Sequence, residues 1–165
     1  VKVIGSLRLA YREVIPTLRK MYVEGLRQAV QSVMESLTVE LGRSFYIDVD
    51  EEYTPTIIED SGFVRDVNLI SGGERTWLAL AYRIGLGQLL MEAKTGQSLE
   101  LLILDEPTEA LGTEDKSIET LASAISNLRM VRQILPVTHS EELAREASTR
   151  ILIAKKNGIS KIDKT

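Results

Sequence analysis

The 165 residues contain no cysteine. Disulfides and thiolate metal sites are thereby excluded, and a cytoplasmic setting is the simple expectation. There is one histidine, His139, so no multi-histidine metal site can be built. No apolar run approaches the length of a membrane span, and no signal-peptide pattern opens the chain. A basic excess is missing too: 20 Lys and Arg stand against 24 Asp and Glu, for a net charge of −4. A nucleic-acid footprint is therefore not visible in the total, and DNA contact must come from a local patch or from another chain. Internal repeats and low-complexity tracts are absent as well. What is left suits one domain with a real core, 44% hydrophobic and 27% charged.

The stretch that organises the chain is Leu69-Ile70-Ser71-Gly72-Gly73-Glu74-Arg75. After it, Leu78, Leu80, Ala81, Ile84, Leu86, Leu89 and Leu90 recur at helical spacing, predicting a helix from Glu74 to about Ala93. Ser71 is a good N-cap, and Glu74 stands where a capping box needs it. Bare N–H groups, a hydroxyl and two glycines at a helix start make an anion site. Trp77 and Tyr82 read as packing residues.

Upstream, Leu18, Tyr22, Leu26, Ala29, Val33, Leu37 and Leu41 form one apolar stripe, with Lys20, Glu24, Arg27, Gln31 and Glu35 away from it. Pro16 predicts a break, giving segments Val1–Ile15 and Pro16–Leu41. The chain begins inside this pattern, as it would if a longer coiled coil had been cut. Phe45, Ile47 and Val49 then alternate with Tyr46, Asp48 and Asp50, and Thr54–Ile58 is β-prone, so a small antiparallel unit is expected before Ser71.

Downstream, Gly96 closes the long helix. Leu101–Leu104 is a continuous apolar run, the pattern of a strand buried on both faces of a parallel sheet, and Asp105-Glu106 stand at its carboxyl end. Ligands of open α/β sheets bind outside such ends. A helix over Lys116–Leu128, a strand over Gln133–Thr138 ending at His139, and a helix from Ser140 to about Ala147 follow. Pro136 favours a strand end or an edge. Arg150–Lys155 and Ile159–Ile162 read as a hairpin around Asn157-Gly158.

Ser-Gly-Gly-Glu before a helix, an apolar strand ending in Asp-Glu, and a strand ending in His are each weak signals. In this order they resemble the C-terminal half of an ABC-class ATPase. Ile70–Glu74 looks like the signature motif and Leu101–Glu106 like the Walker B strand. Glu109-Ala110-Leu111-Gly112 sits at the D-loop position, and His139 at the switch-histidine position. Ser-Gly-Gly-Glu, the leading helix, and Arg75 and Arg83 on the signature helix resemble the Rad-fifty/SbcC-type double-strand-break repair ATPases. No Gly-x-x-x-x-Gly-Lys-Ser/Thr loop occurs, so the phosphate-cradling lobe must come from elsewhere.

The resemblance implies an α/β fold: a mostly parallel sheet with flanking helices, a small antiparallel unit and a coiled-coil stub. Residues 1–42 would enter from the coiled coil, and residues 43–165 would be the lobe. It implies ATP and Mg²⁺, with Asp105 on the metal, Glu106 orienting the attacking water and His139, as a neutral donor, near the γ-phosphate. Ser71, Gly72, Gly73 and Glu74 would seal ATP bound to a second head, and Arg75 and Arg83 would relay that state. Gly112 departs from the Leu-Asp that usually ends a D-loop. The implied partners are the N-terminal Walker A lobe, a second copy of the head, an SbcD/Mre-eleven-type nuclease and DNA, with Lys155, Lys156, Lys161 and Lys164 as candidate DNA contacts. The isolated chain is expected to be inactive, and its place to be the nucleoid, or the nucleus in a eukaryote. Other readings are an SMC- or RecF-like clamp, a transporter ATPase subunit, or a non-catalytic module that keeps the fold.

Overall fold

The computed structural model describes residues 2–39, 44–59, 61–108 and 117–163. It opens with one helix, α1 (Lys2–Thr38), that runs through Pro16 without a break. The expected division there does not occur. Pro16 removes the N–H that would reach the carbonyl of Arg12, but residues 8–22 are all exposed, so water can take that carbonyl and no packing is disturbed. The apolar stripe works only in the second half. Leu26, Val30, Val33, Met34 and Leu37 are buried, whereas Leu18 and Tyr22 stand in solvent.

Strands β1 (Tyr46–Val49), β2 (Pro55–Ile58) and β3 (Val64–Asp66) form an antiparallel sheet in that order. Phe45, Ile47 and Val49 point into the core, as their alternation requires. Gln31, away from the apolar stripe, meets the edge of the sheet. Its amide donates to the carbonyl of Phe45 (3.0 Å) and accepts from the N–H of Ile47 (2.7 Å), so it pairs with the free edge of β1 like a piece of strand. Asp50 shapes the β1–β2 turn by accepting from the N–H groups of Glu52 and Thr54.

Helix α2 (Gly72–Thr95) ends at Gly96, whose φ of 68° is the left-handed conformation that glycine adopts freely. It lies along the buried half of α1, and Trp77, Leu78, Leu80, Ala81 and Ile84 fill the space between. The Tyr82 hydroxyl donates to the Tyr53 carbonyl (2.7 Å), which ties the β1–β2 turn to α2.

Strands β4 (Leu101–Asp105) and β5 (Gln133–Val137) run parallel, with α3 (Ser117–Ser126) between them in sequence. This is the parallel part of the architecture among the described residues. Leu121, Ala122 and Ile125 of α3 join the core, with Leu102, Leu104 and Ile134 packed against it. The other face of the pair is open: Leu101 and Ile103 are 47% and 59% exposed. The expectation of a strand buried on both faces therefore fails, because nothing among the described residues covers that side. Pro136 is tolerated because Gln133 and Val137 turn their backbone groups to β4, which leaves the position of Pro136 facing away. A short helix, α4 (Glu141–Glu146), capped by Ser140, packs on α3. The hairpin β6 (Leu152–Lys156) and β7 (Ile159–Asp163) turns at Asn157 and Gly158, both at positive φ.

Candidate functional site

Two clusters of functional side chains arise, on different elements. The first caps α2. Ser71 is its N-cap: the Glu74 N–H donates to Ser71 Oγ (3.2 Å), and the Ser71 N–H and hydroxyl both donate to Glu74 Oε2 (3.0 Å each). The capping box expected from Ser-x-x-Glu is present. A Cβ placed on Gly72 or Gly73 meets nothing within 4 Å. Nothing among the described residues requires glycine at those two positions.

Arg65 of β3 completes this cluster. Its two terminal nitrogens reach Glu74 Oε1 and Oε2 at 3.1 and 3.2 Å. Its Nε lies 2.9 Å from Glu59 Oε1, a charge contact without hydrogen-bond alignment. Burial raises the tendency of Glu74 to take a proton, but the hydrogen bonds from Arg65 and Ser71 outweigh it and hold its pKa below 4.5. A depressed carboxylate contributes stability that is full above its unfolded pKa and is lost as pH falls through the folded one. Glu74→Gln is thus expected to be less stable than wild type at neutral pH and to lose less on acidification. Melting temperatures followed from about pH 6 down to about pH 3 check this; parallel curves would show that Glu74 carries no such linkage.

The second cluster stands at the carboxyl ends of β4 and β5. The parallel register sets Asp105 opposite Val137, so the residues that follow, Glu106 and Thr138-His139, emerge side by side. Glu106 has φ 42°, a strained value for a residue with a side chain. Its N–H donates to the Val137 carbonyl at 2.8 Å, which fixes the bend. The carboxylate is then held from three sides: His139 Nδ1 is 3.0 Å from Oε1, and the Thr138 hydroxyl (3.2 Å) and the His139 N–H (3.5 Å) approach Oε2. The His139 bond, the largest influence, lowers the pKa of Glu106. Asp105 is exposed and makes no hydrogen bond or ion pair among the described residues.

Of the residues named from sequence, Ser71 and Glu74 meet, and so do Glu106 and His139. Arg75 and Arg83 are exposed on α2 and make no ion pair among the described residues. Glu109, Ala110, Leu111 and Gly112 lie outside the described residues, as do Leu41 and Lys164. Lys155 and Lys161 are exposed on the β6–β7 hairpin. Arg65, Glu59 and Thr138 were not anticipated. Thr138 comes beside Glu106 through the register that sets Asp105 opposite Val137; pairing the strands by their last apolar residues, Leu104 and Val137, would have set it beside Asp105 instead. Arg65 carried no local signal, because its partner stands nine residues away across a turn.

No family model matches the chain. Curated relatives do. A DNA double-strand break repair Rad50 ATPase of Archaeoglobus fulgidus is 28% identical over 159 residues, 92% of this chain and 17% of that protein. One of Sulfurisphaera tokodaii, similarly described, is 31% identical over 149 residues, 88% of this chain and 16% of that protein. In sequence the chain resembles a segment of these Rad50 ATPases. It spans about one sixth of the length of these relatives. In fold, this Rad50-like lobe matches a solved structure from work on ATP-driven dimerization and DNA-stimulated activation of SMC ATPases. That match has a TM-score of 0.65 at 16% identity and covers 89% of this chain and 87% of the other. The α/β lobe with a helical stub is thus an SMC-type ATPase fold. No helix among the described residues is long and apolar enough to cross a membrane.

Proposed function

We propose that this lobe is half of an ATP-binding and hydrolysing head that closes on a second head and so controls DNA-end processing in double-strand-break repair. The observation that carries the reading is the meeting of Glu106 with Thr138 and His139 at one sheet edge, beside Asp105. A carboxylate held ionised and oriented by three donors is suited to align and polarise a water molecule, which is what phosphoryl transfer asks of protein groups.

Asp105 fits a magnesium ion. Mg²⁺ takes one or two carboxylates and leaves its other positions to water and phosphate, and the Asp105 carboxylate is exposed and unengaged. The ion, when bound, neutralises phosphate charge. His139 has a more restricted part than a neutral donor. With Nδ1–H on Glu106, a neutral ring offers only a lone pair at Nε2, so donation to a phosphate needs both ring protons. At the other cluster, the two glycines that no neighbour among the described residues explains leave the first N–H groups of α2 open to an anion from outside. ATP bound to a second head is the fitting occupant, and Arg75 and Arg83 then report its presence along α2.

The N-terminal Walker A lobe of the same protein supplies the missing phosphate loop, so the isolated chain should not turn ATP over. The solvent-facing half of α1 continues toward a coiled coil and offers a place for an SbcD/Mre-eleven-type nuclease. DNA is the macromolecular substrate, with the cytoplasm, at the nucleoid, or a nucleus as the setting. The test uses the full-length protein. Ser71→Arg fills the open end of α2 and is expected to abolish ATP-driven head dimerisation, read by light scattering with and without ATP, while the fold persists by circular dichroism. Unchanged dimerisation would remove the α2 N-terminus from the nucleotide site.

A further inference from the structure

We propose that Arg65 is a positioning residue for the nucleotide end of α2, acting through Glu74. It rests on the head reading above, and it assigns a task to the β1–β3 sheet. The capping box places a full negative charge at the spot where the incoming triphosphate must dock. Glu74 Oε2 is 3.0 Å from Ser71 Oγ and accepts that hydroxyl's proton. Left alone, this carboxylate would cancel the favourable helix dipole, repel the phosphates and hold back the one hydroxyl proton Ser71 can donate.

Arg65 answers the first two. Its fork covers both Glu74 oxygens, at 3.1 and 3.2 Å, and draws the negative charge toward β3, away from Ser71. Glu59, 2.9 Å from Arg65 Nε, fixes the guanidinium from behind. Strand β3, only three residues long, therefore serves to hold a countercharge. Arg65 touches no nucleotide in this scheme. It sets the charge that stands beside Ser71.

The experiment measures the ATP concentration for half-maximal head dimerisation of the full-length protein, in wild type, Arg65→Gln, Arg65→Lys, Glu74→Gln and the Arg65→Gln/Glu74→Gln double variant. Arg65→Gln should raise that concentration about tenfold, more at low salt than at high, because an exposed carboxylate next to phosphate is screened. Arg65→Lys keeps the charge and should stay within about threefold of wild type. A Gln at the third helical position still caps but carries no charge, so whatever value Glu74→Gln alone sets, adding Arg65→Gln to it should change nothing further. A merely structural Arg65 would give the same loss in both Glu74 backgrounds, with no salt dependence and no rescue by Lys, and that pattern overturns the proposal. Should Arg65→Gln fail to fold on a thermal melt, the Arg65→Lys and double variants decide alone. Wild type that does not dimerise on ATP would instead overturn the head reading itself.

Discussion

Glu106→Gln is expected to slow ATP hydrolysis by the completed head about 10²–10⁴-fold while leaving ATP-driven closure intact. The side chain keeps its size and one acceptor oxygen, so His139 Nδ1 or the Thr138 hydroxyl still has a partner. What disappears is the ionised carboxylate that His139 holds below the usual glutamate range. A base with a lowered pKa is a poor proton acceptor, and it is charged throughout the neutral range. In the proposed head Glu106 would therefore orient and polarise water rather than take the proton. Because Asp105 and the Ser71 cap are untouched, ATP should bind and the closed dimer should accumulate. Steady-state phosphate release, set beside nucleotide binding, checks this. Turnover at the wild-type rate would assign the water to another residue.

Gly85→Leu is expected to be the most damaging single change to the fold, costing about 3 kcal/mol. A Cβ at Gly85 would lie 2.8 Å from Val30 N and 3.0 Å from both Ala29 C and Val30 Cα. Those are backbone atoms of α1, so no side chain can swing aside and the helices must part. Gly85→Ala already meets this clash. Its gain in helix propensity, about 1 kcal/mol, should not offset the overpacking. Two residues on, the outcome reverses. A Cβ at Gly87 comes no nearer than 3.9 Å, to Leu99 Cδ2, an ordinary contact. Gly87→Ala should therefore stabilise by up to about 1 kcal/mol. Denaturant midpoints of the two alanine variants, moving in opposite directions, are the check. Equal shifts would mean that the α1–α2 crossing is not held by backbone approach. The same crossing joins the long helix to the helix that begins at Ser71, so a loosened Gly85 variant should also weaken communication between them.

Most elements could be read from local pattern. Alternation gave β1, the capping box gave the start of α2, Gly96 gave its end, and Asn157-Gly158 gave the hairpin. Each of these is decided within a few residues by steric and hydrogen-bonding preferences that the chain carries everywhere. Two expectations failed, and one contact went unannounced. Pro16 did not break α1, because a solvated helix tolerates one missing N–H. Gln31 lies off the apolar stripe, and its pairing with the edge of β1 has no local signal. Leu101 and Ile103 are not covered, because the packing surface of a strand belongs to whatever lies against it.

The candidate site divides along the same line. Sequence alone determined which chemistry-bearing residues exist and their order: Ser71 to Glu74, Asp105-Glu106, then His139. It also determined that no phosphate loop is among them. Only the tertiary structure decided their company. The parallel register of β4 and β5 put His139 and Thr138 on Glu106 and bent the chain there to φ 42°. The return of β3 past the start of α2 put Arg65 on Glu74. Caps and periodicities act between near neighbours and can be read in order along the chain. A hydrogen bond between residues 33 positions apart depends on the path of everything between them, and no local pattern records that path.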